Sequence, residues 1–428
     1  MDSLLAVSVA LLAGLLMTRV FKKAGFHFPD VTSFLIAGLL VGPYCLGRIG
    51  ISGLGFTSME AVDNMGVVTN TALGFIAFAI GNEFRLSQLK STGKQAVVIG
   101  IFQAITATVL VDAVLIAFHF ILGPDVLPLP VAVTLGAIAS ATAPAATLMV
   151  VRQYKAKGPV TDLLLPIVAL DDAVGLILFA VSFGIAQALQ GGELSIFSII
   201  INPLVEIVMS LLLGTIMGVL LTVLERLFLS NTNRLSLSIG FVVMTIALAS
   251  TEFNIGQLKI SFSSLLVCMM LGTVFCNLSP YSLDIMGRAD KWTAPLFACF
   301  FVISGAGLEL SVFRYPVIVM IGVVYILVRC VGKYFGARLS STAVGCGENV
   351  RKYLGITLFP QAGVALGMVV TAQALGGEEA VLIRNIILFS VLIYELVGPL
   401  LTRMALSAAG EIGEIEPEKK SRERFEHR

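Results

Sequence analysis

Apolar runs recur along nearly the whole of this 428-residue chain, and that single feature limits its fold more than any other. A helix needs about 20 apolar residues to cross a bilayer core about 30 Å thick. Thirteen such runs can be drawn, at about 3–20, 29–47, 66–83, 95–123, 129–152, 160–188, 198–227, 233–252, 261–279, 293–312, 315–339, 352–376 and 380–406. Charge is correspondingly scarce: 13% of the residues are charged and 57% are hydrophobic, where a soluble domain carries about 25% charged residues to cover its surface. Much of the surface therefore faces lipid. In hydrocarbon every backbone amide must be satisfied within the protein, so the expectation is an all-α membrane protein with thirteen transmembrane helices.

The distribution of positive charge tests that count. With the N-terminus outside, 22 of the 28 Lys and Arg residues fall on the inner side or in the tail, and only Arg48, Lys259, Arg314 and Arg384 fall outside. One span more or fewer would invert every later loop and destroy the asymmetry. The first run has its cations after it, not before it, so it is read as a retained span and not as a cleaved leader. The chain is thus expected in the cell membrane with its C-terminus cytoplasmic. Residues 1–408 form the transmembrane part and 409–428 a short charged tail. No loop exceeds roughly 25 residues, which leaves no room for a soluble catalytic or nucleotide-binding domain. The net charge of +1 argues against nucleic acid, and three His and six Cys without CxxC spacing argue against a zinc site or a disulfide framework. No cofactor is expected.

Charges inside apolar runs are costly and mark function by default. Asp171 and Asp172, in PIVALDDAVGLILF, lie near the middle of the sixth run. Neighbours on a helix differ by about 100°, so one carboxylate can hold an ion while the other pairs with a cation. A carboxylate away from water takes up a proton more readily than one in solution, so one group can bind a proton and a metal ion in turn. The alternative, a loop mistaken for a span, is opposed by the apolar residues on both sides.

The fifth run contains SATAPAATLM, with Ser140, Thr142, Pro144 and Thr147. Pro144 removes a donor and clashes with the preceding turn. The small hydroxyl residues beside it suggest a locally unwound helix whose freed carbonyls and Thr142 hydroxyl are hard oxygen ligands for Na⁺ or K⁺. A simple proline kink is the plainer reading. The twelfth run, with Pro360, Gly363 and Gly367, is a second interrupted helix. It lies an odd number of runs after the first, as an inverted repeat requires. Arg329, in YILVRCVGKYFGARL, lies close to the middle of the eleventh run and cannot readily lose its charge, so it needs an anion. Its expected partner is Asp171. Lys333, one turn further on, either snorkels to the interface or takes that role itself. Asp112, Glu206 and Glu395 are weaker candidates, expected to serve packing, and Glu83, Glu252 and Glu309 fall at helix ends.

Taken in order, FPDVTSFLIAGLLVGP (28–43), LGFIAFAIGNEF (73–84), SATAPAA, LDD (170–172), FFVISGAGLEL (300–310) and YELVGPLLT (394–402) resemble the cation:proton antiporter superfamily over nearly the whole chain. The resemblance implies the sodium/proton antiporter fold, with inverted repeats and crossed broken helices. It implies a mobile core at about 95–188 and 315–406, a dimerisation bundle at about 3–83 and 233–312, and a homodimer. Asp172 matches the ion-carrying aspartate and Asp171 its neighbour, as in the electrogenic double-aspartate branch. Ser140 and Thr142 fall on the crossed helix, with Asp172 and Thr142 as ligands of Na⁺ or K⁺. That branch usually has Lys in the basic span, and Arg329 and Lys333 are the two alignments open here. The implied function is exchange of a monovalent cation, Na⁺ foremost, with K⁺ or Li⁺ as alternatives, for protons by alternating access. A gated cation channel and an organic-anion symporter are the competing readings.

Overall fold

The computed structural model of the chain describes residues 3–25, 28–51, 53–82, 84, 86–190, 201–251, 253–255, 258–308 and 310–412. The first four apolar runs become α1 (Ser3–Lys23), α2 (Asp30–Val41), then, beyond the short α3 (Met59–Asp63), α4 (Gly66–Gly81) and α5 (Leu86–Leu122). The fifth is split into α6 (Leu129–Ile138) and α7 (Pro144–Gln153). The sixth to tenth are α8 (Pro159–Leu189), α9 (Asn202–Glu225), α10 (Asn231–Ala249), α11 (Ser264–Leu278) and α12 (Ser282–Ala306). The eleventh is α13 (Pro316–Ala343). The twelfth is split into α14 (Glu348–Thr357) and α15 (Gly363–Ala372), and the last is α16 (Gly377–Ala408). Between α10 and α11 a small antiparallel hairpin pairs β1 (Phe253–Ile255) with β2 (Leu258–Ile260), Phe253 opposite Ile260.

Among the described residues the thirteen runs are therefore not thirteen uninterrupted spans. Eight segments are long and apolar enough to cross a bilayer by length and composition, and four further apolar helices are shorter. Two of these short pieces, α6 and α15, are halves of the interrupted runs. Both splits have a local cause. Pro144 occupies the first turn of α7, where its missing N–H costs nothing. The residue before a proline avoids helical angles, and Ala143 is extended at φ −85°, ψ 107°. In the twelfth run the helix stops at Thr357 and resumes at Gly363, with Pro360 in the gap. Pro166, in contrast, stays inside a continuous α8.

Two packing units result. One apolar cluster joins α1, α2, α4, α9, α10, α11 and α12, and α7 and α8 contribute Ala145, Ala146, Leu148, Leu165 and Ala169 to its edge. The other unit contains two clusters, built from α5, α6, α7, α8, α13, α14, α15 and α16. Small residues bring its helices together. A Cβ on Gly336 of α13 would meet Gln103 Cα at 2.8 Å, and one on Gly332 would meet Ala107 Cα at 2.7 Å. Such close approach is how helices associate where hydrophobic driving force is weak. It lays α13 against α5 at the depth where their polar side chains meet α8.

Candidate functional site

The two helix breaks cross and are tied to one another by the backbone. Ala143 N–H donates to Pro360 O at 2.8 Å. Gln361, in the second break, donates through Nε2 to Ile138 O at the end of α6, at 2.8 Å. The same nitrogen lies 3.0 Å from the Tyr325 hydroxyl. Interrupted helices leave carbonyls without partners, and here one side chain collects three of them. Arg329 donates from Nε to Ala139 O (2.9 Å), from Nη2 to Ala141 O (2.5 Å) and from Nη1 to Phe359 O (2.7 Å). Its guanidinium carbon sits 4.6 Å from the ring centre of Tyr394. A planar fork of five donors suits this cluster of carbonyls in a way an ammonium does not. The cation also stands at the C-terminal, electronegative ends of α6 and α14.

Beside this crossing, α8 presents Asp171 and Asp172, 0% and 5% exposed. Asp171 Oδ2 accepts from Lys333 Nζ at 3.0 Å and from Thr142 Oγ1 at 2.6 Å, and Oδ1 accepts from Gln103 Nε2 of α5. Lys333 Nζ also donates to Ser140 O at 2.5 Å and Thr142 Oγ1 at 2.9 Å. All three donors of the ammonium are thus used, and the Thr142 hydroxyl gives its proton to Asp171 while accepting from Lys333. Asp172 is the opposite case. Its Oδ1 is buried without a hydrogen-bond partner, and no cation faces it among the described residues. The site holds one carboxylate fully committed to an ion pair and, next to it, one left free.

The structure brings Asp171, Asp172, Thr142, Ser140, Arg329 and Lys333 to one place, as their positions in the sequence suggest. It corrects three details. The partner of Asp171 is Lys333, not Arg329, because Arg329 is spent on break carbonyls that a depth estimate takes no account of. Thr142 serves the Asp171–Lys333 pair and is not turned to Asp172. Ser140 contributes its carbonyl, while its hydroxyl bonds back to Ala137 O at 2.7 Å. Two contributors went unselected in the sequence, Gln103 and Gln361. An amide in the middle of an apolar run was the signal available for both. Of the weaker candidates, Glu206 Oε2 accepts from Ser261 Oγ at 3.3 Å. Asp112 packs against Gly136 with Oδ1 unpartnered. Glu83, Glu252 and Glu309 lie outside the described residues. Among the described residues no group of three or more His, Cys, Asp or Glu could hold a metal ion. A transported monovalent cation would instead draw on carboxylate, carbonyl and hydroxyl oxygens.

Buried acid–base groups packed around two crossed half-helix pairs, in an all-α multi-pass membrane protein, define a secondary transporter of the antiporter fold. Comparison with known families makes this specific: the chain belongs to the sodium/hydrogen exchanger family, whose transmembrane description matches residues 7–408. Members of this family carry out cation:proton exchange, so the protein is a transporter and not an enzyme. The fold is similar to that of the sodium proton antiporter MjNhaP1 from Methanocaldococcus jannaschii at pH 8. That match has 18% identity and a TM-score of 0.67, over 96% of this chain and 97% of that one. An electron-microscopy structure of the same antiporter matches at 18% identity and TM-score 0.69, over 97% of this chain and 100% of that one. At this identity the likeness bears on the fold. Comparison with curated protein sequences returned no match.

Proposed function

We propose that the protein exchanges Na⁺ for H⁺ by alternating access, with Asp172 as the carboxylate that binds cation and proton in turn. The observation that carries this reading is the contrast between the two adjacent acids. Asp171 is occupied by Lys333, Thr142 and Gln103, whereas Asp172 is buried and unpartnered. A buried unpaired carboxylate is costly as an anion and cheap once it carries either a proton or a cation. It therefore exchanges one for the other. Lys333 and Asp171 hold the walls of the site, and Arg329 fixes the break carbonyls that lie around it. The unit containing α5, α8 and α13 is the moving core in this reading, and the unit containing α1, α2, α4 and α10–α12 forms a homodimer in the membrane. The N-terminus lies outside and the C-terminus in the cytoplasm. The relatives' named cation is Na⁺, which favours it over K⁺ and Li⁺ here.

Proteoliposomes loaded with a pH-sensitive dye test the assignment. Outwardly directed Na⁺, K⁺ and Li⁺ gradients of equal size are imposed in turn. Na⁺ is expected to drive proton movement fastest. Faster movement with K⁺ would reassign the cation, and Na⁺ flux without any proton movement would make the protein a channel.

A further inference from the structure

A second buried acid lies apart from the Asp171–Asp172 pair. Glu395 of α16 is 8% exposed, and its carboxyl group makes no hydrogen bond or ion pair among the described residues. It faces a small cavity of about 30 Å³ on the seam between the two packing units, roughly the room of one water molecule. One wall is apolar and belongs to the first unit: Leu35 of α2, Leu265 of α11, Phe300 and Phe301 of α12. The other wall is made by the opening turns of both half-helices, residues 143–146 of α7 and 362–364 of α15. No other titratable side chain, from α2, α4, α7, α11, α12 or α15, lines the cavity. Arg329, the cation of α13 that reaches α16, is turned to the neighbouring Tyr394 and to the break carbonyls.

The geometry points to Glu395 as a second proton-binding carboxylate, one that holds a proton while the seam is closed and releases it to water when the seam opens. In this apolar arrangement no cation lines the cavity to balance an anion, so the carboxyl group is kept neutral by its own proton. Two helix N-termini open on the same space, and each carries partial positive charge. They stabilise the carboxylate as soon as water is present to solvate it and to carry the proton away. The cavity's apolar wall comes from the first unit, Glu395 and the opening turn of α15 come from the second, and α7 lies between them. Protonation of Glu395 is thereby tied to the relative position of those units, whereas the Asp171–Lys333 pair lies wholly within one of them. Nothing in the crossing of the helices requires an acid here for packing, since every other lining residue is apolar or glycine.

The inference rests on the exchange reading, and two measurements keep them apart. Infrared titration of the purified full chain follows the carbonyl band of protonated carboxyl groups. Part of that band is expected to disappear in Glu395→Gln, to persist in Asp172→Asn, and to return at a shifted frequency in Glu395→Asp. An identical titration in wild type and Glu395→Gln would overturn the assignment. If Glu395→Gln does not fold, Glu395→Asp decides alone, an unshifted band being the contrary result. In Na⁺-loaded proteoliposomes, Glu395→Gln is expected to lower the maximal exchange rate about tenfold or more, with the apparent Na⁺ affinity within about twofold of wild type. Glu395→Asp should restore the rate. Superimposable rate–pH profiles for wild type and Glu395→Gln would leave the residue a packing group, with exchange itself intact. Absence of exchange in wild type would instead defeat the functional reading beneath.

Discussion

Asp171 and Asp172 have the same side chain, the same helix and nearly the same depth, yet their surroundings assign them different work. Replacing Asp172 by Asn keeps the shape and removes the carboxylate that the proposed exchange shares between proton and cation. The expected result is loss of exchange in proteoliposomes with thermal stability preserved, and retained exchange above half of the wild-type rate would remove Asp172 from the role. Asp171 is expected to matter for stability. Removing one member of a buried ion pair strands the other at a cost of about 3–5 kcal/mol. Lys333→Ala should lower stability by that order, and by much less in an Asp171→Asn background. Arg329→Ala should also destabilise, but additively with Asp171→Asn, because its bonds run to carbonyls. A double-mutant cycle read by thermal unfolding separates the cases, and strong coupling between Arg329 and Asp171 would contradict the structure. The sequence put Arg329 and Lys333 four residues apart, one turn and one face. Depth alone could not rank them, since the deciding partners were backbone carbonyls, which a list of side chains does not display.

At the scale of elements, the two breaks are cross-linked chiefly by two side chains, Arg329 from α13 and Gln361 from the second break, while Lys333 joins the first break to Asp171. Gln361 bridges Ile138 O and the Tyr325 hydroxyl inside an otherwise apolar layer. Gln361→Leu leaves both without that partner, and a buried unsatisfied group costs about 1–3 kcal/mol. The expected result is a fall in unfolding temperature together with weakened exchange, measured by a thermal melt and the dye assay on the same preparation. An unchanged melt would mean that water replaces the amide. The breaks themselves were legible only as candidates, because a proline in an apolar run can also sit inside a continuous helix, as Pro166, Pro295 and Pro399 do. Helix identity was legible, as length and apolarity alone set it. What could not be read was which side chains fill the gaps. Gln103 is one turn of α5 among several, and only the close approach at Gly336 shows that it reaches Asp171.

For the whole molecule, the proposed exchange needs the seam between the two packing units to move. Among the described residues the seam carries few polar contacts: Arg152 of α7 pairs with Asp290 of α12 at 2.5 Å, Gln153 accepts from the Asp30 backbone N–H at 2.8 Å, and Asn277 Oδ1 accepts from the Leu86 backbone N–H at 2.9 Å. Both groups of the Arg152–Asp290 pair are partly exposed, so the pair adds little to stability and can part at small cost. The central claim is narrower than any movement: one carboxylate, Asp172, is shared by the cation and the proton. The most direct test is the apparent Na⁺ affinity of exchange measured across a range of pH in proteoliposomes. Competition for a single site predicts that, on the acid side, the apparent KM for Na⁺ rises about tenfold for each unit by which the pH falls, while the maximal rate stays constant. A KM that does not change with pH, with the maximal rate falling instead, would show that proton and cation bind at different places and would contradict the account.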